Sequence, residues 1–332
     1  MTHCLLIVDN NGMDLLTSMH IFTHVVEANG FTAASTRLGL SRAAVSKHIA
    51  QLETHLGGQL LQRTTRRISL TEVGQAYYER CKQILEDVAD AECHVTGLST
   101  EPRGTLRLNV PMTFGIKQIA PLLNRLTTQY PHLSIDLSLS DRLVDIVEEG
   151  YDLVIRIAAL KESNLVARRL APSRHILCAA PDYLDQHGRP ETADDLAHHP
   201  CLRYAYTKNS NEWRLFKNRV EHRVRIKGPL LVNNGDALCA AAEHGAGITL
   251  LPTFIAGDSI RNGKLEVVLP DHDCPELGIY AVYSSRRHQS AKVRALIDFL
   301  ASEISDPPRW DEGLFTRQHN RNRAGDGAPT TG

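Results

Sequence analysis

The sequence predicts an α/β protein that begins with an all-α winged helix-turn-helix. Three observations predict it. Apolar residues recur at helical spacing in three short stretches between residues 14 and 57, and the breaks fall at Asn29-Gly30 and Gly39. Beyond residue 104, β-like runs alternate with helical patterns, the signature of two α/β lobes. The length of 332 residues is enough for two or more domains at about one per 150 residues.

Leu15, Met19, Phe22, Val25 and Val26 lie on one face of a helix over 14–29, ended by Asn29-Gly30. Thr32 stands where an N-cap would open a short second helix, which Gly39 stops. Ser41 caps a third helix with apolar positions Ala44, Val45, Ile49, Leu52 and Leu56. Two helices joined by a tight glycine turn make a helix-turn-helix. After Gly57-Gly58, two β-like runs flank Thr64-Thr65-Arg66-Arg67 and read as a small wing. Thr71-Glu72 then opens a long helix to about Leu98, in which Tyr77, Cys81, Ile84, Val88, Ala91 and Val95 form a heptad seam. That seam suits pairing with a second copy through Tyr77, Ile84, Val88 and Val95; packing on its own domain is the alternative. Ser99–Thr105 reads as a hinge.

The remainder reads as a βαβαβ unit with a mostly parallel sheet: a strand in TLRLNV, a helix over 115–130, a strand in LSIDLSLS, a helix over 142–149 and a strand in YDLVIRI. A second unit runs through PLLVNN, a helix over 235–245, GITLL and a helix near 253–261. LGIYAVYS and a helix over 290–304 return to the first. The expected domains are an extension over 1–12, a winged helix-turn-helix over 13–70, a dimerisation helix over 71–98 and a hinge over 99–104. An effector-binding domain over 105–305 follows, with lobe I about 105–162 and 271–305 and lobe II about 163–270. A disordered tail over 306–332 ends the chain.

Composition narrows the function. The net charge is −1, with 42% hydrophobic and 23% charged residues, so any nucleic-acid binding must come from a local patch. Seven widely spaced cysteines without a C-x-x-C argue against a disulfide framework or zinc ribbon and for a reducing compartment. No apolar run approaches the ~18 residues of a membrane span, and the start lacks the pattern of a signal peptide; the expected location is cytoplasmic. His198, His199 and Cys201 are spaced too closely to present three ligands on one face, so no metal is expected. No low-pKa thiolate is marked, and no nucleotide-binding or hydrolase motif supports a catalytic residue or a cofactor.

The stretch AASTRLGLSRAAVSKHIAQLETHLGGQLLQRTTRRISLTEVG closely resembles the N-terminal domain of LysR-type transcriptional regulators. QYPHLSIDLSLSDRLVDIVEEGYDLVIRI and VNNGDALCAAAEHGAGITLLP resemble the same family's effector domain. The resemblance runs from about Met13 to Ile304; Leu61 departs from it, standing where the family often has Phe. It implies effector lobes of the periplasmic-binding-protein type 2 kind, with a pocket between them. The partners that follow are double-stranded promoter DNA, a small-molecule effector and a second copy in a homodimer or homotetramer, with RNA polymerase a compatible further one.

Between Gly30 and Leu70 the bases are Arg37, Arg42, Lys47, Arg63, Arg66 and Arg67 and the only acid is Glu53, a local sum of 6 − 1 = +5. This is the footprint of phosphate binding. The front of a recognition helix enters the major groove, which places Ser41, Arg42, Ala43, Ser46 and Lys47 near bases. Arg42 suits a guanine edge; Ala43 permits close approach. Thr32 and Arg37 would hold phosphates from the second helix, and Arg63, Arg66 and Arg67 would lie along the flanking backbone.

For the effector, Pro111, Met112, Thr113 and Phe114 lie between a strand end and a helix start, where free N–H groups favour anions or carbonyl oxygens. Asn234 and Asp236 hold the matching place in the second lobe, as ligand contacts or as simple caps. Arg156 faces the cleft or pairs structurally, and Tyr204 lines the cleft or the core. A pure solute-binding protein and an enzyme remain competing readings, opposed by the helix-turn-helix and by the missing motifs.

Overall fold

A computed structural model describes residues 14–63, 68–96, 101–159, 165–207, 209–284 and 290–315, in two compact units that divide at Thr100/Glu101.

The first unit opens with α1 (Leu15–Glu27), α2 (Phe31–Leu38) and α3 (Arg42–Leu56). Asp14 caps α1 by accepting from the Thr17 amide at 3.1 Å, and Ser41 caps α3 by accepting from the Ala44 amide at 3.1 Å. Gly39 and Gly57 end α2 and α3 with φ of 65° and 66°, a left-handed geometry that a side chain rarely tolerates. Phe22, Val25, Ala34, Val45, Ile49 and Leu52 are fully buried and form the three-helix core. The second helix is not capped by Thr32 as expected: Gly30 is the cap residue and Thr32 lies in the first turn, with its carbonyl accepting from the Ser35 hydroxyl at 2.8 Å. The wing strands β1 (Leu61–Arg63) and β2 (Ile68–Leu70) pair antiparallel, Leu61 opposite Leu70. The residues at the wing tip, Arg66 and Arg67 among them, lie outside the described residues, as do residues 1–13.

The long helix α4 (Glu72–Thr96) begins where a Cβ on Gly74 would stand 2.0 Å from the Leu60 carbonyl oxygen, so only glycine lets it approach that closely. Its seam also packs on its own domain. Cys81 is fully buried, and Tyr77, Tyr78, Leu85 and Val88 pack against the three-helix core. The Tyr77 and Tyr78 rings stand 5.9 and 6.3 Å from Phe22. The first two heptads therefore cover their own domain. Ile84 is 38% exposed and free to meet another chain, while the side chain of Val95 lies outside the described residues.

The second unit holds two five-stranded sheets. Lobe I is ordered β4-β3-β5-β14-β6, from β3 (Gly104–Val110), β4 (Leu133–Leu139), β5 (Leu153–Ala158), β6 (Val166–Ser173) and β14 (Leu277–Tyr283). Lobe II is ordered β11-β8-β12-β7-β13, from β7 (His175–Ala179), β8 (Cys201–Tyr204), β11 (Leu231–Val232), β12 (Ile248–Pro252) and β13 (Glu266–Val268). Both sheets are mixed rather than mostly parallel: β14 runs antiparallel to β5 and β6, and β7 runs antiparallel to β12 and β13. Helices α5 (Met112–Phe114), a single π-helical turn over Gly115–Ile119 and α6 (Ala120–Gln129) follow β3. A helix α7 (Pro181–His187) and a hairpin of β9 (Glu212–Lys217) and β10 (Val220–Arg225) belong to lobe II, with α8 (Gly235–Glu243) and α9 (Thr253–Arg261). The helix α10 (Ala291–Glu303) returns to lobe I. One apolar core runs through both lobes, including Leu106, Phe114, Leu238, Phe254 and Leu296.

Three expectations are corrected. No helix forms over 142–149, where the chain makes turns; Val144 and Ile146 are buried while Leu143 and Val147 are 76% and 65% exposed, an alternation of two that no helix face provides. Lobe I extends past residue 162, because β6 pairs with β14 in its sheet. Residues 306–315, expected to begin a disordered tail, fold back onto the effector unit: Trp310 and Asp311 are 8% and 5% exposed, and Trp310 enters the common core.

Candidate functional site

Two candidate surfaces emerge, one in each unit. On the first, Arg42, Ala43, Ser46 and Lys47 occupy spacings that share a face of α3. Ser41, Arg42, Ala43 and Lys47 are exposed, Ser46 is half-buried, and Thr32 and Arg37 are exposed on α2. The polar residues that this face does not use are engaged in holding it. His48 Nδ1 lies 3.0 Å from the Ser18 hydroxyl, fastening α3 to α1. Glu53, the lone acid of the basic stretch, accepts from the Leu60 and Leu61 amides at 2.9 and 3.2 Å and so holds the start of the wing. Both bonds go to its Oε1 from the domain's own backbone. Arg63 closes β1 on the same wing.

The second surface lies between the lobes of the effector unit. The Thr113 hydroxyl donates to Asp236 Oδ2 at 2.6 Å, and Lys117 Nζ stands 3.6 Å from Asp236 Oδ1 and donates to the Ile255 carbonyl at 3.2 Å. Beside them the Met112 amide donates to Asp141 Oδ1 at 2.8 Å, and the Asn234 amide group faces Met112 Sδ at 3.6 Å. Thr113, Met112 and Asn234 are thus brought together with Asp236, as the sequence suggests. Asn234 also caps α8 by accepting from the Ala237 amide at 3.0 Å, which is the cap reading of that residue. Gly235 is needed there: a Cβ would meet Ile255 Cδ1 at 2.4 Å.

Burial pushes the Asp141 carboxyl above the usual carboxylate range, an effect that the Met112 and Asn234 hydrogen bonds partly offset and the Asp236 charge adds to. Burial likewise raises the Tyr204 phenol, reinforced by the Asp141 and Tyr206 charges. Tyr204 therefore belongs to the same group, edge-on to Tyr206 at 5.8 Å. Asp141 and Lys117 are members that sequence reasoning missed. Asp141 follows the carboxyl end of a parallel strand, the position where ligand-facing groups gather in α/β sheets, and that signal could have found it.

Two expected members stand apart. Phe114 is fully buried, its ring edge-on to Phe254 at 5.3 Å and to Trp310 at 5.7 Å, so it supports the site from the core. Arg156 donates from Nη2 to the Val144 carbonyl at 2.6 Å and contributes to holding the 141–149 turns. Pro111 is half-buried before α5. The cleft group thus presents donors (the Met112 amide, Thr113, Lys117, Asn234) and two carboxylates, of which Asp141 is the one that burial affects and Asp236 is 41% exposed. That set can bind a small polar molecule that competes for these bonds. Among the described residues, no group of three or more His, Cys, Asp or Glu could hold a metal ion, and no helix is long and apolar enough to cross a membrane.

Comparison with known proteins agrees with this division. Residues 16–75 match the family described as bacterial regulatory helix-turn-helix protein, lysR family, and residues 99–305 match the LysR substrate binding domain. An HTH-type transcriptional regulator of Haemophilus influenzae is 39% identical over 284 residues, covering 86% of this chain and 99% of that protein. The HTH-type transcriptional regulator DmlR of Escherichia coli is 39% identical over 297 residues, covering 89% and 96%. Among solved structures, CrgA of Neisseria meningitidis, a LysR-type transcriptional regulator, is 31% identical with a TM-score of 0.56, covering 86% of this chain and 98% of that one.

Proposed function

The chain belongs to the LysR-type family of transcriptional regulators and is a ligand-responsive DNA-binding regulator, and from that premise we propose which residues carry each task. The front of α3 reads bases in the major groove of promoter DNA, Arg42 as a donor to guanine and Ala43 against the groove floor. Thr32 and Arg37 on α2, Lys47, and the wing arginines Arg63, Arg66 and Arg67 hold phosphates. The exposed side of α4, through Ile84 and the part of the helix toward Val95, joins two copies so that two recognition helices meet two half-sites; a tetramer would be a pair of such dimers. The effector is a small polar molecule that enters between the lobes and engages Thr113, Asn234 and Asp236, with Asp141, Lys117 and Tyr204 beside them. It acts by favouring one arrangement of the lobes over another.

The observation that carries this reading is the +5 cationic stretch (6 − 1) whose only acid, Glu53, accepts from the Leu60 and Leu61 amides. Its test is a gel shift with the DNA upstream of the protein's own gene, across a salt series and with and without metabolite extract. Binding should fall steeply with salt, by about 0.9 in log–log slope for each phosphate neutralised. Failure to bind under any of these conditions would remove the proposal.

A further inference from the structure

The segment 306–315 lies beyond the matched effector domain, which ends at residue 305, and it is built into the junction of the two lobes. The chain passes from lobe I to lobe II at Arg174, between β6 and β7, and returns ahead of β14 at Glu276. Arg174 meets both passages and the segment. Its Nη1 lies 2.6 Å from Asp311 Oδ2 and its Nε 3.8 Å from Glu276 Oε2, while the Phe315 ring lies under its guanidinium at 5.6 Å. The other Asp311 oxygen accepts from the Thr253 hydroxyl at 2.5 Å, at the start of α9 in lobe II. A carboxylate side chain only 3% exposed is costly unless paired and hydrogen-bonded, and here both oxygens are engaged.

Trp310 makes the second attachment. Its ring stands edge-on to Phe114 of lobe I at 5.7 Å and to Phe254 of lobe II at 6.3 Å, so one indole touches both lobes. Arg261 of α9 donates to the Trp310 and Glu312 carbonyls at 3.3 and 3.0 Å, fixing the backbone between the two attachments. Gly257 leaves the space: a Cβ there would stand 3.2 Å from both Leu314 Cδ1 and the Trp310 carbonyl oxygen.

We infer that residues 306–315 form a strap across the lobe junction that fixes the angle between the lobes, making Asp311 and Trp310 positioning residues for the cleft. Phe114 follows Thr113 directly, so the indole that seats Phe114 also sets where the Thr113 hydroxyl meets Asp236. The strap adds a further link between lobes that are otherwise joined by two passages of chain, the Thr113–Asp236 bond and the shared apolar core. Its importance for regulation rests on the reading of the cleft as the effector site; the strap itself does not.

The test uses the full chain with Cys4 and Cys93 replaced by Ser and spin labels at Thr127→Cys, exposed on α6 of lobe I, and Asp194→Cys, exposed in lobe II. Interlobe distances are then measured by pulsed electron resonance without any effector, with the labelled protein mixed into a large excess of unlabelled protein so that only pairs within one chain contribute. The parent should give one narrow distribution. Asp311→Ala and a chain stopped after Ser305 should at least double its width, and Trp310→Phe, which keeps an aromatic ring at that place, should stay close to the parent. If removing the strap prevents folding, Asp311→Ala alone decides, read beside the far-UV signal of the intact fold. A width unchanged from the parent in folded Asp311→Ala overturns the inference. So does broadening in Trp310→Phe as large as in the shortened chain. A protein that fails the gel shift yet shows the broadening loses the regulator reading and keeps the strap.

Discussion

Replacing Thr113 by Val should weaken the latch between the lobes while leaving the side-chain shape almost intact. The Thr113 hydroxyl donates to Asp236 at 2.6 Å. A hydrogen bond to a charged group contributes roughly 1.5–3 kcal/mol. The Asp236 side chain is 41% exposed, so water can replace the lost donor and the lower end, about 1.5 kcal/mol, applies. The Lys117 partner at 3.6 Å is itself 31% exposed and adds no more than about 1 kcal/mol. The two tryptophans of the chain, Trp213 and Trp310, both lie in the effector unit. Their fluorescence in urea therefore follows that unit in the intact protein. The Thr113→Val midpoint should fall with an unchanged slope, corresponding to about 1.5 kcal/mol. Combined with Asp236→Asn, the cycle should return a coupling near 1 kcal/mol; a coupling within about 0.3 kcal/mol of zero, the range of independent sites, would refute the latch.

Other expectations concern both units. Arg42→Ala should relax discrimination between operator sequences, whereas Arg37→Ala should weaken binding to all sequences alike, as competition gel shifts with specific and random DNA would reveal; identical behaviour of the two would sink the assignment. Glu53→Ala raises the local charge yet frees the Leu60 and Leu61 amides. The unit's thermal stability should drop by about 1–3 kcal/mol, and operator affinity should fall despite the extra positive charge. Burial lowers His175 from 6.5 to about 4, so the folded state binds fewer protons than the unfolded chain below pH 6.5. Stability should be full above that pH and decline as pH falls, by at most about 2 kcal/mol at pH 5 from this one group. The urea midpoint of His175→Gln should show a smaller drop between pH 7 and 5, and an equal drop would exclude the residue.

Where the sequence was legible, a local rule decided the structure. Ser41 works through a hydroxyl that reaches an amide three residues on, Gly39 and Gly57 work through their own backbone, and the apolar positions of α1 and α3 keep one face over several turns, so the helix-turn-helix could be read directly. The effector lobes depend on distant partners. The turns over 141–149 owe their form to Arg156 and to Val144 and Ile146 meeting Val154 and Val282. Nothing in that stretch alone reveals those contacts. Phe114 reads as a ligand contact from its place beside Thr113, and only the arrival of Phe254 and Trp310 shows it to be core. Trp310 in turn sits in a Pro- and Gly-rich stretch with the composition of a tail. Its burial depends on an aromatic recess assembled from both lobes. The cleft was legible at Thr113, Asn234 and Asp236, where strand ends meet helix starts. It was not legible at Lys117, whose role depends on how α8 and α9 pack.

The strand order of lobe I has a consequence for synthesis. β14 (Leu277–Tyr283) lies between β5 and β6, so that sheet stays open until nearly the whole chain has left the ribosome. The DNA-binding unit is built from neighbours in sequence and can close as soon as it emerges; the sensing unit needs non-local pairing, which is slow to form and exposes unpaired edges meanwhile. At about 5–20 residues per second, a nascent chain carries a finished reading head for many seconds before its sensor exists. Early termination would release fragments able to occupy operators and deaf to the effector, which places the burden of quality control on the C-terminal third of the protein.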